Sequence, residues 1–216
     1  MIVVVDGPDG VGKTTLCRNL VAYFQSRGVS AGYLRCSAGK PDAFGSFVYA
    51  MRKARAVALS WDREKTETKL LERPDIPPLV FEVMNVSAHV NTLVNNLPEL
   101  AASSQVVLID RGWGSSYASI AFHSDGEKAS LFTAAELAFW QEIGERPHVL
   151  LLDRERTLKP EEMAPAEFAR LRDLFREAYE RFPGERPVRS LSTQRLDEAE
   201  TVSAALRLIP FPDAGA

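Results

Sequence analysis

Ile2-Val3-Val4-Val5 and Val149-Leu150-Leu151-Leu152 are unbroken apolar runs of a strand's length, and Gln105-Val106-Val107-Leu108-Ile109 is a third of similar kind. Runs with no polar face belong to strands covered on both sides, as in a parallel sheet. Shorter patterns at 31–34 and 188–191 predict two more strands. Between the strands the period changes. Leu16, Leu20, Val21 and Phe24 recur at three- and four-residue steps, which predicts a helix over 13–27 stopped by Gly28. Related patterns predict helices over 43–59, 79–97, 134–144, 166–182 and 196–208. Residues 62–75 are charged and run into Pro74, Pro77 and Pro78, which predicts a connector. Residues 154–165 are polar, carry Pro160 and Pro165, and predict a loop or lid. Strands alternating with helices predict an α/β fold built on a parallel sheet, here one domain over 1–216.

Composition narrows the class without naming a chemistry. The 216 residues are 45% hydrophobic and 25% charged with a net charge of −3, which suits a globular chain with a large core and argues against a generally basic nucleic-acid coat. No apolar run approaches the ~20 residues of a membrane helix. The short apolar start has no basic leader, so we expect no signal peptide, no membrane partner and a cytoplasmic setting. Two cysteines, Cys17 and Cys36, make neither a disulfide framework nor a zinc cluster.

Three segments carry chemistry. Gly7-Pro8-Asp9-Gly10-Val11-Gly12-Lys13-Thr14 matches G-x-x-x-x-G-K-[ST], set between a buried strand and a helix. Its glycines let backbone N–H groups face phosphate oxygens, and the helix start adds a positive end. Gly7, Gly10, Val11, Gly12, Lys13, Thr14 and Thr15 are therefore candidate nucleotide-binding residues. Lys13 is suited to the β- and γ-phosphates, and Thr14 to Mg²⁺. Asp110-Arg111 closes the third strand, where open parallel sheets collect ligands. Asp110 is a candidate metal ligand and Arg111 a phosphate grip. Arg154-Glu155-Arg156-Thr157-Leu158-Lys159 follows the fourth strand, and closing its positive charge over transferring phosphates would exclude water. Asp9, inside the phosphate loop, either orients a substrate hydroxyl as its proton acceptor or caps its own turn.

These pieces, in this order, resemble a thymidylate-kinase-like nucleoside monophosphate kinase. The resemblance runs from Val5–Thr15 through Val107–Arg111 with Ser115-Ser116, then Leu151-Leu152-Asp153 with its basic lid, to the F-x-x-L-R-x-x-F-x-x-A-Y pattern of Phe168–Tyr179. It implies a P-loop kinase fold: a five-stranded parallel sheet flanked by helices, with a short lid at about 154–165. It implies ATP as phosphate donor, Mg²⁺, an acceptor near Asp9 and Arg111, and often a homodimer. In this family a phosphate-stabilising arginine comes from the loop or the lid; Gly10 fills the loop position, so the role passes to Arg154 or Arg156. The segment 191–197 is similar to the loop that packs near the adenine.

Departures bear on the acceptor. Arg35-Cys36-Ser37-Ala38-Gly39-Lys40 replaces a Glu-Pro-Gly-Gly-Thr-like stretch, and Asn85-Val86 stand where an arginine would follow the aromatic Phe81. Phe81, Asn85, Trp113 and Ser115 are the candidate acceptor-binding residues with Asp9 and Arg111. Gly112 and Gly114 are expected to make room for a bulkier substrate. The leading expectation is phosphorylation of a deoxynucleoside monophosphate, thymidylate-like or a modified pyrimidine. One alternative is a kinase of a hydroxyl on a nucleoside or a hydroxymethylated base in DNA, with Arg52, Lys53 and Arg55 toward the polynucleotide. Another is a nucleotide-binding switch without kinase activity.

Overall fold

The computed structural model describes residues 1–36, 78–124, 126–161 and 163–211. The helix expected over 43–59, its basic face, and the connector over 62–75 lie outside the described residues. The described strands are β1 (Ile2–Asp6), β2 (Ala31–Arg35), β3 (Val106–Asp110), β4 (His148–Asp153) and β5 (Val188–Ser192). The helices are α1 (Lys13–Gln25), α2 (Pro78–Ser103), α3 (Trp113–His123), α4 (Gly126–Glu142), α5 (Pro165–Arg181) and α6 (Glu198–Leu208). The strands form one sheet in the order β2-β3-β1-β4-β5, with every pairing parallel.

The apolar runs become the middle of that sheet. All residues of β1 and β3 are buried, because helices cover both faces. Strand alternation divides each run between two cores. Val3, Val5, Leu108, Leu150 and Leu152 meet Leu16, Leu20 and Phe24 of α1 and Ala204 and Ala205 of α6. Val4, Val107, Ile109, Val149 and Leu151 meet Leu93 and Leu97 of α2, Trp113 of α3, Trp140 of α4 and Phe175 and Tyr179 of α5.

Helix α4 begins at Gly126, eight residues before the predicted start, and two further helices depart from the sequence pattern for physical reasons. Helix α3 has no amphipathic period because neighbours cover it nearly all round; most of its residues are buried, serines included. Helix α2 continues through Pro98 to Ser103, where the sequence pattern stops at Leu97. A proline inside a helix releases the carbonyl four residues earlier. That residue is Val94, which is 46% exposed, so water can take over the lost bond. No helix among the described residues is long and apolar enough to cross a membrane.

The strand order also fixes where a ligand can sit. The chain leaves β1 toward β2 on one side, and leaves β3 toward β4 on the other. Adjacent strands whose connections part in this way open a crevice at their carboxyl ends. The loop at 7–12 and the Asp110-Arg111 pair flank that crevice.

Leu108 is fully buried at the centre of the sheet. Leu108→Ala should lower the unfolding free energy by about 2–5 kcal/mol, read from the urea midpoint.

Candidate active site

The loop between β1 and α1 is shaped by glycines in left-handed or otherwise positive-φ conformations. Gly7 has φ 137°, and a Cβ there would run into the backbone carbonyl of Leu152. Gly10 has φ 78°, and its Cβ would collide with the Thr157 hydroxyl. The loop ends at Gly12, which caps α1 in a left-handed conformation. Val11 is buried and Thr15 exposed.

Lys13, the first residue of α1, is 5% exposed and folds back over the loop. Its Nζ donates to the carbonyls of Gly7 (2.6 Å) and Pro8 (2.7 Å) and lies 3.4 Å from Asp9 Oδ1. Burial lowers its pKa, partly opposed by the charges of Asp9, Asp110 and Asp6. Arg111 leaves β3 with φ 89°, an uncommon conformation for a side-chain-bearing residue and a mark of local strain. Its N–H still donates to the Val5 carbonyl at 3.0 Å. Its guanidinium reaches Asp9 Oδ1 at 2.6 Å. Burial favours the neutral form of Asp9, but Arg111 and Lys13 outweigh it and hold the carboxyl well below the usual range. A carboxylate so stabilised as an anion is a poor proton acceptor at neutral pH.

Across the crevice, Thr14 Oγ1 donates to Asp110 Oδ2 at 2.5 Å, and Tyr33 OH donates to the same oxygen at 3.0 Å. Burial and the Asp110 charge push the Tyr33 hydroxyl pKa up, so it stays a donor. Thr14 and Asp110 supply hard oxygens side by side. No group of three or more His, Cys, Asp or Glu residues suited to a metal occurs among the described residues. That donor set fits Mg²⁺, which takes one or two protein oxygens and completes its shell with phosphate and water.

Beneath these groups lies a carboxylate that motif reading passed over. Asp6 ends β1 fully buried. It accepts from Gly7 N (3.0 Å), Ser115 N (3.0 Å), Ser115 Oγ (2.5 Å) and Tyr179 OH (2.6 Å). The sequence signal was an acid closing an otherwise wholly apolar strand. A second buried carboxylate, Glu136 of α4, accepts from Ser116 Oγ of α3 at 2.7 Å and lies 3.2 Å from His89 Nε2 of α2. It ties together the helices beside the crevice.

Solved structures add a fold identity here. Thymidylate kinase from Ehrlichia chaffeensis is similar to this chain with a TM-score of 0.63, over 96% of this chain and 96% of that one, at 17% sequence identity. The fold is that of a thymidylate kinase. No family model matches the chain, and no curated protein matches it.

Several acceptor-side expectations change on this frame. Trp113 does not wall the crevice. It is 1% exposed, donates from Nε1 to the Phe182 carbonyl at 2.9 Å and packs edge-on against Tyr179. Its ring lines a cavity of about 270 Å³ beside the loops that enter β4 and β5, at the other end of the sheet. Ser115 is turned inward to Asp6. Gly112 and Gly114 open no space for substrate: a Cβ at Gly112 would strike Val4, and one at Gly114 would meet Tyr179 and lie 2.9 Å from Asp6 Oδ2. Phe81 and Asn85 belong to α2, but their side chains lie outside the described residues.

The basic segment after β4 lies across the loop. Leu158 N donates to the Gly10 carbonyl at 2.9 Å, and Thr157 Oγ1 approaches the Asp9 carbonyl at 3.4 Å. Arg154 turns toward the β5–α6 loop, donating to the carbonyls of Thr193 (2.8 Å) and Gln194 (3.5 Å). Arg156 is exposed. The segment is anchored at Asp153, which takes paired bonds from Arg172 at 2.7 and 2.8 Å and one from Arg176 at 2.9 Å. Those bonds outweigh burial and bring the Asp153 pKa down to about 2.

Two outcomes follow. Asp153 is more acidic folded than unfolded, so its stabilisation is complete above its ordinary pKa of 3.8 and fades as pH falls through about 2. Arg172→Met should cost on the order of 1 kcal/mol at pH 7, since Arg176 keeps part of the stabilisation, and the gap from wild type should narrow between pH 4 and 2 in urea titrations. Asp6→Asn places an amide N–H₂ among donors and should cost about 1–3 kcal/mol in the same assay.

Proposed function

We propose that this chain is an ATP- and Mg²⁺-dependent phosphotransferase whose acceptor is a deoxynucleoside monophosphate, giving the diphosphate. The observation that carries this reading is the Arg111–Asp9–Lys13 cluster beside the loop. An acceptor that already bears a phosphate attacks through an anionic oxygen and needs no base. A hydroxyl acceptor needs one, and Asp9, held as an anion by two cations, is poorly suited to that work. The phosphate acceptor therefore fits better than a nucleoside or DNA hydroxyl.

In the reaction, an acceptor phosphate oxygen forms a bond to the γ-phosphorus as the bond from that phosphorus to the β–γ bridging oxygen breaks. The loop N–H groups and the α1 N-terminus receive the donor phosphates. Lys13 offsets charge on the migrating group, and Arg111 holds the acceptor phosphate. Thr14 and Asp110 are the residues suited to hold Mg²⁺, which when bound neutralises donor-phosphate charge. The segment carrying Arg154 and Arg156 covers the loop, with Arg156 the more exposed of the two.

The test offers ATP and Mg²⁺ with deoxynucleoside monophosphates, nucleosides or hydroxymethylated DNA. Diphosphate formation confined to the monophosphates is expected. Product only on nucleoside or DNA, or nucleotide binding without transfer, would overturn the reading. Lys13→Ala should lower kcat about 10²–10³-fold. Arg111→Ala should lower kcat/KM for the acceptor by about 10-fold or more while ATP affinity holds.

A further inference from the structure

Asp110 has a second hydroxyl donor that the phosphate-loop motif does not supply. Tyr33 lies on β2 opposite Leu108 of β3, two residues before Asp110. Leu108 and Asp110 share a strand face, separated by roughly 6.6 Å along the strand. A tyrosine spans that gap, and its hydroxyl arrives at Asp110 Oδ2 at 3.0 Å. A phenylalanine there would keep the ring packing, which Tyr33 shares with the α1-side core, and lose only the bond. Thr14 donates to the same oxygen at 2.5 Å. Among the described residues, both hydroxyl bonds to this carboxylate thus end on one oxygen, and the other takes no side-chain donor.

We propose that Tyr33 is a positioning residue for the cation end of the site: with Thr14 it fixes Asp110 through Oδ2, so that the other carboxylate oxygen serves a divalent cation. This rests on the phosphotransferase reading above. Asp110 is 1% exposed, so bulk water does not readily replace a lost hydroxyl. Partners that orient a metal-binding carboxylate commonly contribute 10–100-fold in metal affinity. Tyr33 would thereby set how tightly the site takes a cation, without touching donor or acceptor.

The experiment titrates Mn²⁺ into the full chain with saturating ADP, followed by electron paramagnetic resonance. Tyr33→Phe should weaken Mn²⁺ binding by about tenfold. ADP affinity in EDTA and the urea midpoint should stay near wild type. In the Asp110→Ala background, Tyr33→Phe should have no added effect, because the bond it removes is already gone. Equal Mn²⁺ affinity in wild type and Tyr33→Phe would overturn the proposal alone, as would a matching loss of metal-free ADP binding, which would mark a structural role. A wild type that binds neither ADP nor Mn²⁺ would overturn the phosphotransferase reading, and this inference with it.

Discussion

The top of the sheet hangs on one buried carboxylate. Asp6 lies at the end of the central strand with no exposure, and donors from the phosphate loop, α3 and α5 converge on it. Taking a carboxylate out of water costs several kcal/mol unless its lone pairs are occupied, and here they are. The same bonds set the geometry around them. Gly7 begins its turn with its N–H on Asp6; the first turn of α3 must bring Ser115 inward; Tyr179 must end α5 within reach. Gly112 and Gly114 follow from this crowding, since a side chain at either would press on Val4, Tyr179 or Asp6.

Above that hub, charge is arranged in alternation. Asp6 and Asp110 are buried acids, Lys13 and Arg111 are largely buried cations, and Asp9 lies between the cations, half exposed. Each cation is stabilised by the buried acids Asp6 and Asp110 as well as by Asp9. On the proposed reading, an acceptor phosphate competes with Asp9 for Arg111. It carries more negative charge than the carboxylate and can engage the guanidinium through two oxygens. The chain's net charge of −3 thus masks a local positive pair that acids hold in place.

What was legible in the sequence was what short-range physics writes into it. Unbroken apolar runs announced the parallel sheet because both faces are covered. The glycine spacing announced the tight loop after β1, because positive φ and close approach to Leu152 exclude a side chain at Gly7. Asp110 and Arg111 stand out in the sequence because they close a buried strand, and the fold sets them beside the loop. What escaped depended on long-range packing. Trp113 follows the Asp-Arg pair, yet its ring is drawn down by the Phe182 carbonyl, which lies 69 residues away in the chain. Ser115 looks available in sequence, and only the fold reveals Asp6 beneath it. Helix α3 escaped because full burial erases the periodicity that identifies a helix. Tyr33 gave no signal, because its reach to Asp110 requires the β2–β3 register.

The lid and the loop are one design problem. Gly10 stands where the family resemblance places a loop arginine, and the resemblance passes that role to the lid. The backbone gives that exchange a steric basis. Leu158 N bonds to the Gly10 carbonyl, and the Thr157 hydroxyl occupies the space a side chain at position 10 would need. A side chain at position 10 would press on the lid as it is seated, so Thr157 would have to turn away. With glycine there, the lid can approach, and on the proposed reading that segment brings positive charge to the crevice. Arg154 is engaged with the carbonyls of Thr193 and Gln194, binding the lid to the β5–α6 loop. Arg156, two residues on, is exposed, and on the proposed reading it is the arginine left to reach the phosphates.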